Sequence, residues 1–125
     1  MSIPLEPFQL PQAPARPSHA HKGTFGTVLI LGGSPHMIGA PALSASAAFR
    51  TGAGLVKIAA PESIIPHCLT IEPCATGIPL SFKTHEATND AADILLNAID
   101  DKTIIAAGPG FGIGQPQQQL IAAIL

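Results

Sequence analysis

Two glycine-rich segments contain the residue types best suited to contacting a ligand. The first is Gly32–Gly33–Ser34, with Gly39 shortly after it, and the second is Gly108–Pro109–Gly110–Phe111–Gly112. Glycine lets the backbone approach a ligand closely and adopt positive φ angles. Each segment follows a predicted strand and precedes a predicted helix, which is where ligands bind in open α/β sheets. The two segments are therefore predicted to line one cleft, although tight turns that only close strand–helix connections would have the same spacing.

Neither segment matches the common nucleotide-binding fingerprints. The glycines from Gly32 to Gly39 do not follow GxGxxG, and no Gly-Lys-Ser/Thr follows them as a P-loop requires. In the second segment, Ile113 stands where GxGxxG needs its third glycine. These fingerprints therefore do not identify either segment as a nucleotide-binding loop.

The remaining reactive side chains form no recognisable catalytic or metal-binding pattern. No third metal ligand stands near His19 and His21, so no metal site is predicted. Ser34 lies outside a GxSxG motif and is not predicted to be a nucleophile. Cys68 and Cys74 are too few for a disulfide framework, and their spacing does not match the short CxxC pairs of zinc sites. The glutamates show no paired-carboxylate spacing.

The segments around the glycine loops predict a parallel α/β sheet. Thr27–Leu31 and Leu55–Ala60 are short, continuous apolar runs, typical of strands buried on both faces. Between them lies an alanine-rich helix from Pro41 to Gly52, with proline in its first turn and glycine as its C-terminal stop. Together these segments form a predicted βαβ unit.

The rest of the chain repeats this alternation less regularly. The expected elements are a short helix over 62–69 interrupted by Pro66, a strand within 71–80, a helix over 88–99 capped by Thr88 or Asn89, a strand over 103–107, and a helix from Pro116 to Leu125. In the helix over 88–99, Ala91, Ile94, Leu95, Ala98 and Ile99 are predicted to share the buried face. Residues 1–20 are predicted to form a separate extended arm, because proline recurs about every third residue. The chain stops inside a helical pattern, so we expect a truncated product or a fragment.

Composition excludes several classes of protein. Hydrophobic residues make up 46% of the chain and charged residues 11%, against a usual charged share of about 25%, which excludes global disorder and a coiled coil. A net charge of −2 provides no basic surface for nucleic acid. No apolar run reaches the roughly 18 residues of a membrane span, and no signal peptide is recognisable. A soluble, cytoplasmic protein is predicted.

Several motifs together resemble the opening of the ADP/ATP-dependent NAD(P)H-hydrate dehydratases. The motifs are HKGTFG at 21–26, VLILGGS at 28–34, MIGAPAL at 37–43, RTGAGLV at 50–56 and GPGFG at 108–112. Their order and spacing agree with that family over residues 21–114. The resemblance implies a ribokinase-like fold, with a mostly parallel sheet and helices on both faces. It also implies that ATP or ADP with Mg²⁺ is used to return hydrated NADH or NADPH to NAD(P)H.

The resemblance also assigns site residues. Ala40 and Pro41, preceded by Gly39, match a substrate-contact loop, and Gly110 matches a second substrate contact. The glycines expected to support these contacts are Gly32, Gly33, Gly39, Gly108 and Gly112. Many relatives carry alanine where this chain has Pro41, so one backbone N–H of the family pattern is missing here.

The later half of the family pattern does not occur in this sequence. That half carries a histidine-containing loop, a nucleotide-binding segment and Gly-Thr-Gly-Asp with the catalytic aspartate, and no Gly-Thr-Gly-Asp occurs in the 125 residues. We therefore expect residues 21–125 to be the N-terminal half of a dehydratase domain, with its catalytic aspartate beyond Leu125 and no activity alone. Two alternatives remain open: another ribokinase-fold kinase, for thiazole or hydroxymethylpyrimidine, and an inactive truncated fragment. The His-Lys-Gly opening favours the dehydratase. Nucleotides are the expected small-molecule partners, and a homo-oligomer is expected.

Overall fold

The computed structural model describes residues 12, 15–83, 86–87 and 89–125, with only the backbone described at 83, 86, 87 and 89. Along the chain, the strands and helices are β1 (Thr27–Leu31), α1 (Gly39–Thr51), β2 (Leu55–Pro61), α2 (Ile65–Ile71), β3 (Thr76–Leu80), β4 (Phe82–Lys83), β5 (Glu86–Ala87), α3 (Asn89–Asn97), β6 (Thr103–Ala107) and α4 (Gln115–Ile124). Short 3-10 turns at Lys22–Phe25 and Glu62–Ile64 precede β1 and α2.

The central sheet contains four parallel strands in the order β3–β2–β1–β6. Apolar side chains alternate between its two faces and form a core on each. Ile30, Ile58 and Ala60 pack against α1 and α2 on one face, whereas Leu29 and Leu31 pack against α3 and α4 on the other. The predicted parallel sheet with helices on both faces is confirmed.

The order of the strands reverses at β1. The chain moves from β1 to β2 and β3 on one side, and then returns to place β6 on the other side of β1. Ligands in doubly wound sheets bind beyond the carboxyl ends of the strands at such a reversal point. The two glycine segments follow β1 and β6, and therefore meet at this point.

The described structure corrects the predicted elements at several places. Pro66 lies in the first turn of α2 and does not interrupt it, because the preceding residues form the separate 3-10 turn. Helix α3 ends at Asn97, and the side chain of Ile94, predicted to be buried, is 40% exposed. Gly52 ends α1 with a φ of +110°, as predicted. The antiparallel pair β4–β5 was not predicted from the sequence.

Part of the predicted N-terminal arm lies outside the described residues, as does Thr88. Among the residues of the arm that are described, the Ala20 N–H donates to the Pro17 carbonyl at 3.0 Å and forms a turn. The Arg16 guanidinium lies 4.5 Å from the centre of the Phe25 ring and donates to the Gly52 carbonyl at 3.2 Å. These contacts attach the segment before β1 to the end of α1.

Candidate functional site

The two glycine loops are joined by backbone hydrogen bonds at the carboxyl ends of β1 and β6. The Gly33 N–H donates to the Pro109 carbonyl at 2.8 Å, and the Gly108 N–H donates to the Leu31 carbonyl at 2.9 Å. A side chain at Gly32 would overlap the Pro109 carbonyl oxygen. Glycine at this position therefore allows one loop to lie directly against the other.

The loop after β6 has glycine at three alternate positions with positive φ angles. The φ angles are +124° at Gly108, +65° at Gly110 and +83° at Gly112, values that residues with a Cβ adopt only at a cost. The Phe111 N–H donates to the Gly108 carbonyl at 3.0 Å and closes the turn. The ring of Phe111 is buried and meets Phe82 edge to face, with the ring centres 6.1 Å apart. The loop is thus anchored in the core, while Gly108 and Gly112 are exposed at the surface.

Gly110 connects this loop to the start of α1. A Cβ at Gly110 would lie 2.9 Å from the Cβ of Met37 and 3.0 Å from the Cβ of Ala40. By contrast, a Cβ at Gly39, Gly108 or Gly112 would meet nothing within 4 Å. Ala40 and Gly110, two of the three predicted substrate-binding residues, are therefore adjacent, and Gly39 opens onto free space beside them.

The N-terminus of α1 faces the glycine loops without a side-chain cap. Ile38 precedes the helix and provides no capping hydrogen bond, and the first turn holds no acidic residue. The first backbone N–H groups of a helix have no partner within it and favour oxygen or negative charge. Pro41 removes one of these donors, and those of Gly39 and Ala40 remain.

Pro41 lies beneath this surface. Its side chain is less than 2% exposed, and its Cγ is 3.1 Å from where a Cβ of Gly33 would stand. Its side chain therefore contributes packing that holds the first glycine loop against α1. Cys68 supports the same region, since its Sγ donates to the Ile38 carbonyl at 3.4 Å. Burial raises the pKa of the Cys68 thiol.

The segments 32–43 and 108–114 contain backbone donors, small side chains and one imidazole, that of the exposed His36. The segments 32–43 and 108–114 contain no Asp, Glu, Lys or Arg. Within the described residues, no group of three His, Cys, Asp or Glu side chains is placed to hold a metal ion. The arrangement can position a ligand through its backbone donors, and apart from His36 these segments contain no side chain suited to proton transfer.

Carboxylates with lowered pKa values occur away from these segments. A hydrogen bond from Ser46 is the largest cause that lowers the pKa of Glu72, followed by one from the Cys74 backbone. A hydrogen bond from Thr103 is the largest cause that lowers the pKa of Asp100. Both groups stabilise turns between elements.

A cavity near the glycine loops was not predicted from the sequence. It has a volume of about 320 Å³ and is lined by Pro61, Glu62, Ser63, Leu80, Ser81 and Phe82. It lies at the carboxyl ends of β2 and β3, on the same edge of the sheet as the loops. The ring contact between Phe82 and Phe111 connects the two regions. Residues this far apart in sequence give no local signal that they share a cavity.

Comparison with known proteins identifies the family. Residues 28–125 match the sequence profile of the NAD(P)H-hydrate dehydratases. The chain is 35% identical over 112 residues to the ADP-dependent (S)-NAD(P)H-hydrate dehydratase of Bacillus subtilis, covering 90% of this chain and 38% of that protein. It is 41% identical over 107 residues to the bifunctional NAD(P)H-hydrate repair enzyme of Dictyoglomus turgidum, covering 84% of this chain and 21% of that enzyme.

Solved structures agree with this assignment. A ribokinase-like superfamily protein from Enterococcus faecalis superimposes with a TM-score of 0.74 at 26% identity, covering 89% of this chain and 36% of that one. The ADP/ATP-dependent NAD(P)H-hydrate dehydratase of Bacillus subtilis, co-crystallised with ATP and Mg²⁺, superimposes with a TM-score of 0.68 at 33% identity, covering 90% and 38%.

This chain therefore spans about a fifth to two-fifths of the length of these relatives. No described helix is both long and apolar enough to cross a membrane. The profile match over residues 28–125, the ribokinase-like fold and the order of the glycine motifs lead to one conclusion: the chain belongs to the NAD(P)H-hydrate dehydratase family.

Proposed function

We propose that this chain forms the substrate-binding side of an NAD(P)H-hydrate dehydratase site, with hydrated NADH or NADPH as the substrate. The observation that carries the proposal is the contact between the Gly110 turn and Ala40, at the point where the strand order reverses. Both positions lie in motifs that match the family. The family match favours this function over kinases for thiazole or hydroxymethylpyrimidine.

The role of the chain's own residues is to orient the substrate. The N–H groups of Gly39 and Ala40 donate to oxygen atoms of the bound molecule, and the helix end favours a negatively charged group there. The absence of a side chain at Gly39 and the small one at Ala40 let the hydrated ring approach the backbone. Pro41 and Gly33 pack behind this surface and hold it in place.

The residues of the cleft do not fit a resident Mg²⁺ ion. Mg²⁺ is bound through carboxylate and phosphate oxygens, and the segments 32–43 and 108–114 contain no carboxylate. The nucleotide and Mg²⁺ that the family resemblance implies therefore require groups outside these segments. We therefore assign no phosphoryl-transfer step to this chain. As its cellular compartment, we propose the cytoplasm.

An activity assay tests the proposal. The 125-residue chain, mixed with hydrated NADH and either ATP or ADP, is expected to give no increase in absorbance at the reduced-nicotinamide band. A chimera in which this chain is followed by the remainder of the Bacillus subtilis dehydratase is expected to restore nucleotide-dependent turnover. Turnover by the 125-residue chain alone would contradict the proposal that this chain forms only the substrate-binding side of the site.

Paired variants of the chimera locate the substrate contact. Gly110→Val is expected to raise KM at least tenfold, because its side chain would push Met37 and Ala40 away and deform the cleft. Gly112→Val is the matched control, since it also places a β-branched residue at positive φ but projects into open space. Equal KM values for the two variants would assign Gly110 a role in the turn alone.

A further inference from the structure

The cavity beside the glycine loops takes no part in the substrate contact proposed above. Its volume is about 320 Å³, and its lining residues are Pro61, Glu62, Ser63, Leu80, Ser81 and Phe82. This volume is at the lower end of the range for small-molecule sites. The cavity therefore has room for one part of a dinucleotide, such as a ribose and the groups next to it, and not for the whole molecule.

The pairing of β2 with β3 brings the lining residues together. Pro61 and Leu80 are the last residues of the two strands, and they are in register. The chain leaves β2 into the 3-10 turn Glu62–Ile64, and it leaves β3 through Ser81 into β4. The carboxylate and the hydroxyl groups that line the cavity therefore lie at the same end of two neighbouring strands.

Contacts on two sides connect the cavity to the glycine loops. A Cβ at Gly33 would lie 2.6 Å from the Cδ1 of Ile64 and 3.1 Å from the Cγ of Pro41. The first loop therefore lies between the 3-10 turn that lines the cavity and the start of α1. On the other side, the ring of Phe82 meets that of Phe111 in the second loop. A ligand held at the start of α1 can thus extend past the first loop into the cavity.

The polar groups of the cavity suit a hydroxyl-rich ligand. Glu62 provides two carboxylate oxygens and Ser63 a hydroxyl, both side chains are exposed, and none of the six lining residues is cationic. No hydrogen bond or ion pair joins the Glu62 carboxylate to another residue that the structure describes. A carboxylate accepts hydrogen bonds from hydroxyl groups and repels phosphate. The cavity therefore favours a sugar over an anion.

The place of Glu62 in the sheet indicates which sugar it would bind. In βαβ units that bind dinucleotides, an acidic residue beyond the glycine-rich turn accepts a hydrogen bond from the ribose hydroxyl that carries the phosphate in NADP. Glu62 directly follows β2, the strand beside β1, and the first glycine loop directly follows β1. The glycine spacing differs from the dinucleotide fingerprint, but the carboxylate stands at the corresponding end of the neighbouring strand.

We propose that this cavity binds the adenosine ribose of the hydrated dinucleotide, with the Glu62 carboxylate accepting a hydrogen bond from the 2′-hydroxyl. The identity of this ligand rests on the proposed function. NADPH hydrate carries a phosphate in place of that hydroxyl, and its negative charge would stand against the carboxylate. Glu62 is thus a specificity-determining residue that selects NADH hydrate over NADPH hydrate.

Substitutions of Glu62 in the chimera with the remainder of the Bacillus subtilis dehydratase test this role. The parent chimera is expected to have a kcat/KM at least tenfold higher for NADH hydrate than for NADPH hydrate. Glu62→Gln, which removes the charge and keeps the size, is expected to reduce this ratio below threefold, and Glu62→Arg is expected to reverse it. Asp101→Asn is the matched control, because it removes the same charge from an exposed residue before β6, at the opposite end of the strands. It is expected to leave the ratio unchanged.

The same variants show which molecule fills the cavity, since ATP also contains an adenosine ribose. Glu62→Gln is expected to raise the KM for NADH hydrate at least tenfold and to leave the KM for ATP unchanged. A rise in the KM for ATP alone would assign the cavity to the nucleotide and overturn the proposal. An equal loss with NADH hydrate and NADPH hydrate would also overturn it, because only the adenosine ribose differs between the two.

Binding of NADH to the 125-residue chain separates this proposal from the proposed function. In NMR titrations, NADH is expected to shift the amide signals of Glu62, Ser63, Ser81 and Phe82, and NADPH is expected to bind at least tenfold more weakly. Such shifts, found together with a chimera that has no dehydratase activity, would contradict the proposed function and leave the ribose assignment supported. An active chimera and signals that do not move at the cavity would overturn the ribose assignment alone.

Discussion

The glycines of the loop after β6 share positive φ angles but differ in their surroundings. A Cβ at Gly110 would be 2.9 Å from the Met37 carbonyl oxygen, whereas one at Gly112 would meet nothing within 4 Å. Backbone conformation and close contact are separate reasons for glycine, and within this loop Gly110 alone has both. The sequence predicts that these residues turn the chain, but the neighbours of Gly110 depend on how α1 is packed.

Alanine substitutions in the 125-residue chain separate the two reasons. Gly112→Ala is expected to lower the free energy of unfolding by about 1–2 kcal/mol, the cost of a left-handed conformation for a residue with a Cβ. Gly110→Ala carries the same cost, and its overlap with Met37 and Ala40 is expected to bring the loss to at least about 3 kcal/mol. Urea unfolding followed by circular dichroism measures both, since the chain has no Trp or Tyr for fluorescence. Equal losses would mean that the contact with Met37 relaxes without cost.

Prediction from the sequence was most successful for elements whose signal is local. The apolar runs of β1, β2 and β6 and the glycine stop at Gly52 are recognisable in a window of a few residues. The β4–β5 pair has only two residues in each strand, and its formation depends on packing that no such window contains. The burial of Pro41 depends likewise on contact with Gly33 from another loop.

Helices α1 and α2 are tied together by a hydrogen bond whose strength depends on pH. The Ser46 Oγ on α1 donates at 2.7 Å to Glu72, which directly follows α2, and this bond is the largest cause of the lowered pKa of Glu72. A carboxyl whose pKa is lower in the folded state stabilises the fold above its unfolded-state pKa. That contribution is lost as the pH falls through the folded-state pKa.

Ser46→Ala is therefore expected to raise the pKa of Glu72 towards its ordinary value. The substitution is expected to lower the free energy of unfolding most near neutral pH. The difference from the parent chain should shrink as acid protonates Glu72. Ser44→Ala in the same helix is the control, because the Ser44 Oγ donates to the Ala40 carbonyl at 2.9 Å, a group that does not titrate. Urea unfolding at several pH values and NMR titration of the Glu72 carboxyl provide the two measurements. A pH-independent difference for Ser46→Ala would contradict the assignment.

At the scale of the whole molecule, several large apolar side chains remain in contact with solvent. The side chain of Ile104 is 69% exposed, that of Leu43 is 65% exposed and that of Ile113 is 93% exposed. Such residues are unremarkable singly, but clusters of them promote association. The homo-oligomer expected from the sequence remains a prediction.

The isolated chain is expected to elute from a sizing column ahead of a monomer and to enhance ANS fluorescence. Replacing Leu43 and Ile113 together by serine is expected to reduce both signals, while circular dichroism should be unchanged because neither side chain is in the core. Light scattering coupled to the column measures the mass. A sharply eluting monomer that does not enhance ANS fluorescence would contradict this prediction. It would mean that the exposed apolar side chains do not cause the chain to associate.

The hydrogen bond between Gly33 and Pro109 joins two loops that are far apart in the chain. During synthesis at about 5–20 residues per second, the second loop emerges roughly 4–15 s after the first. Until β6 (Thr103–Ala107) has emerged, β1 has only β2 as a partner, and the reversal point between β1 and β6 does not exist. Contact between the two glycine loops therefore forms late in synthesis, and a chain interrupted before residue 103 would contain the βαβ segments but neither β6 nor the second loop.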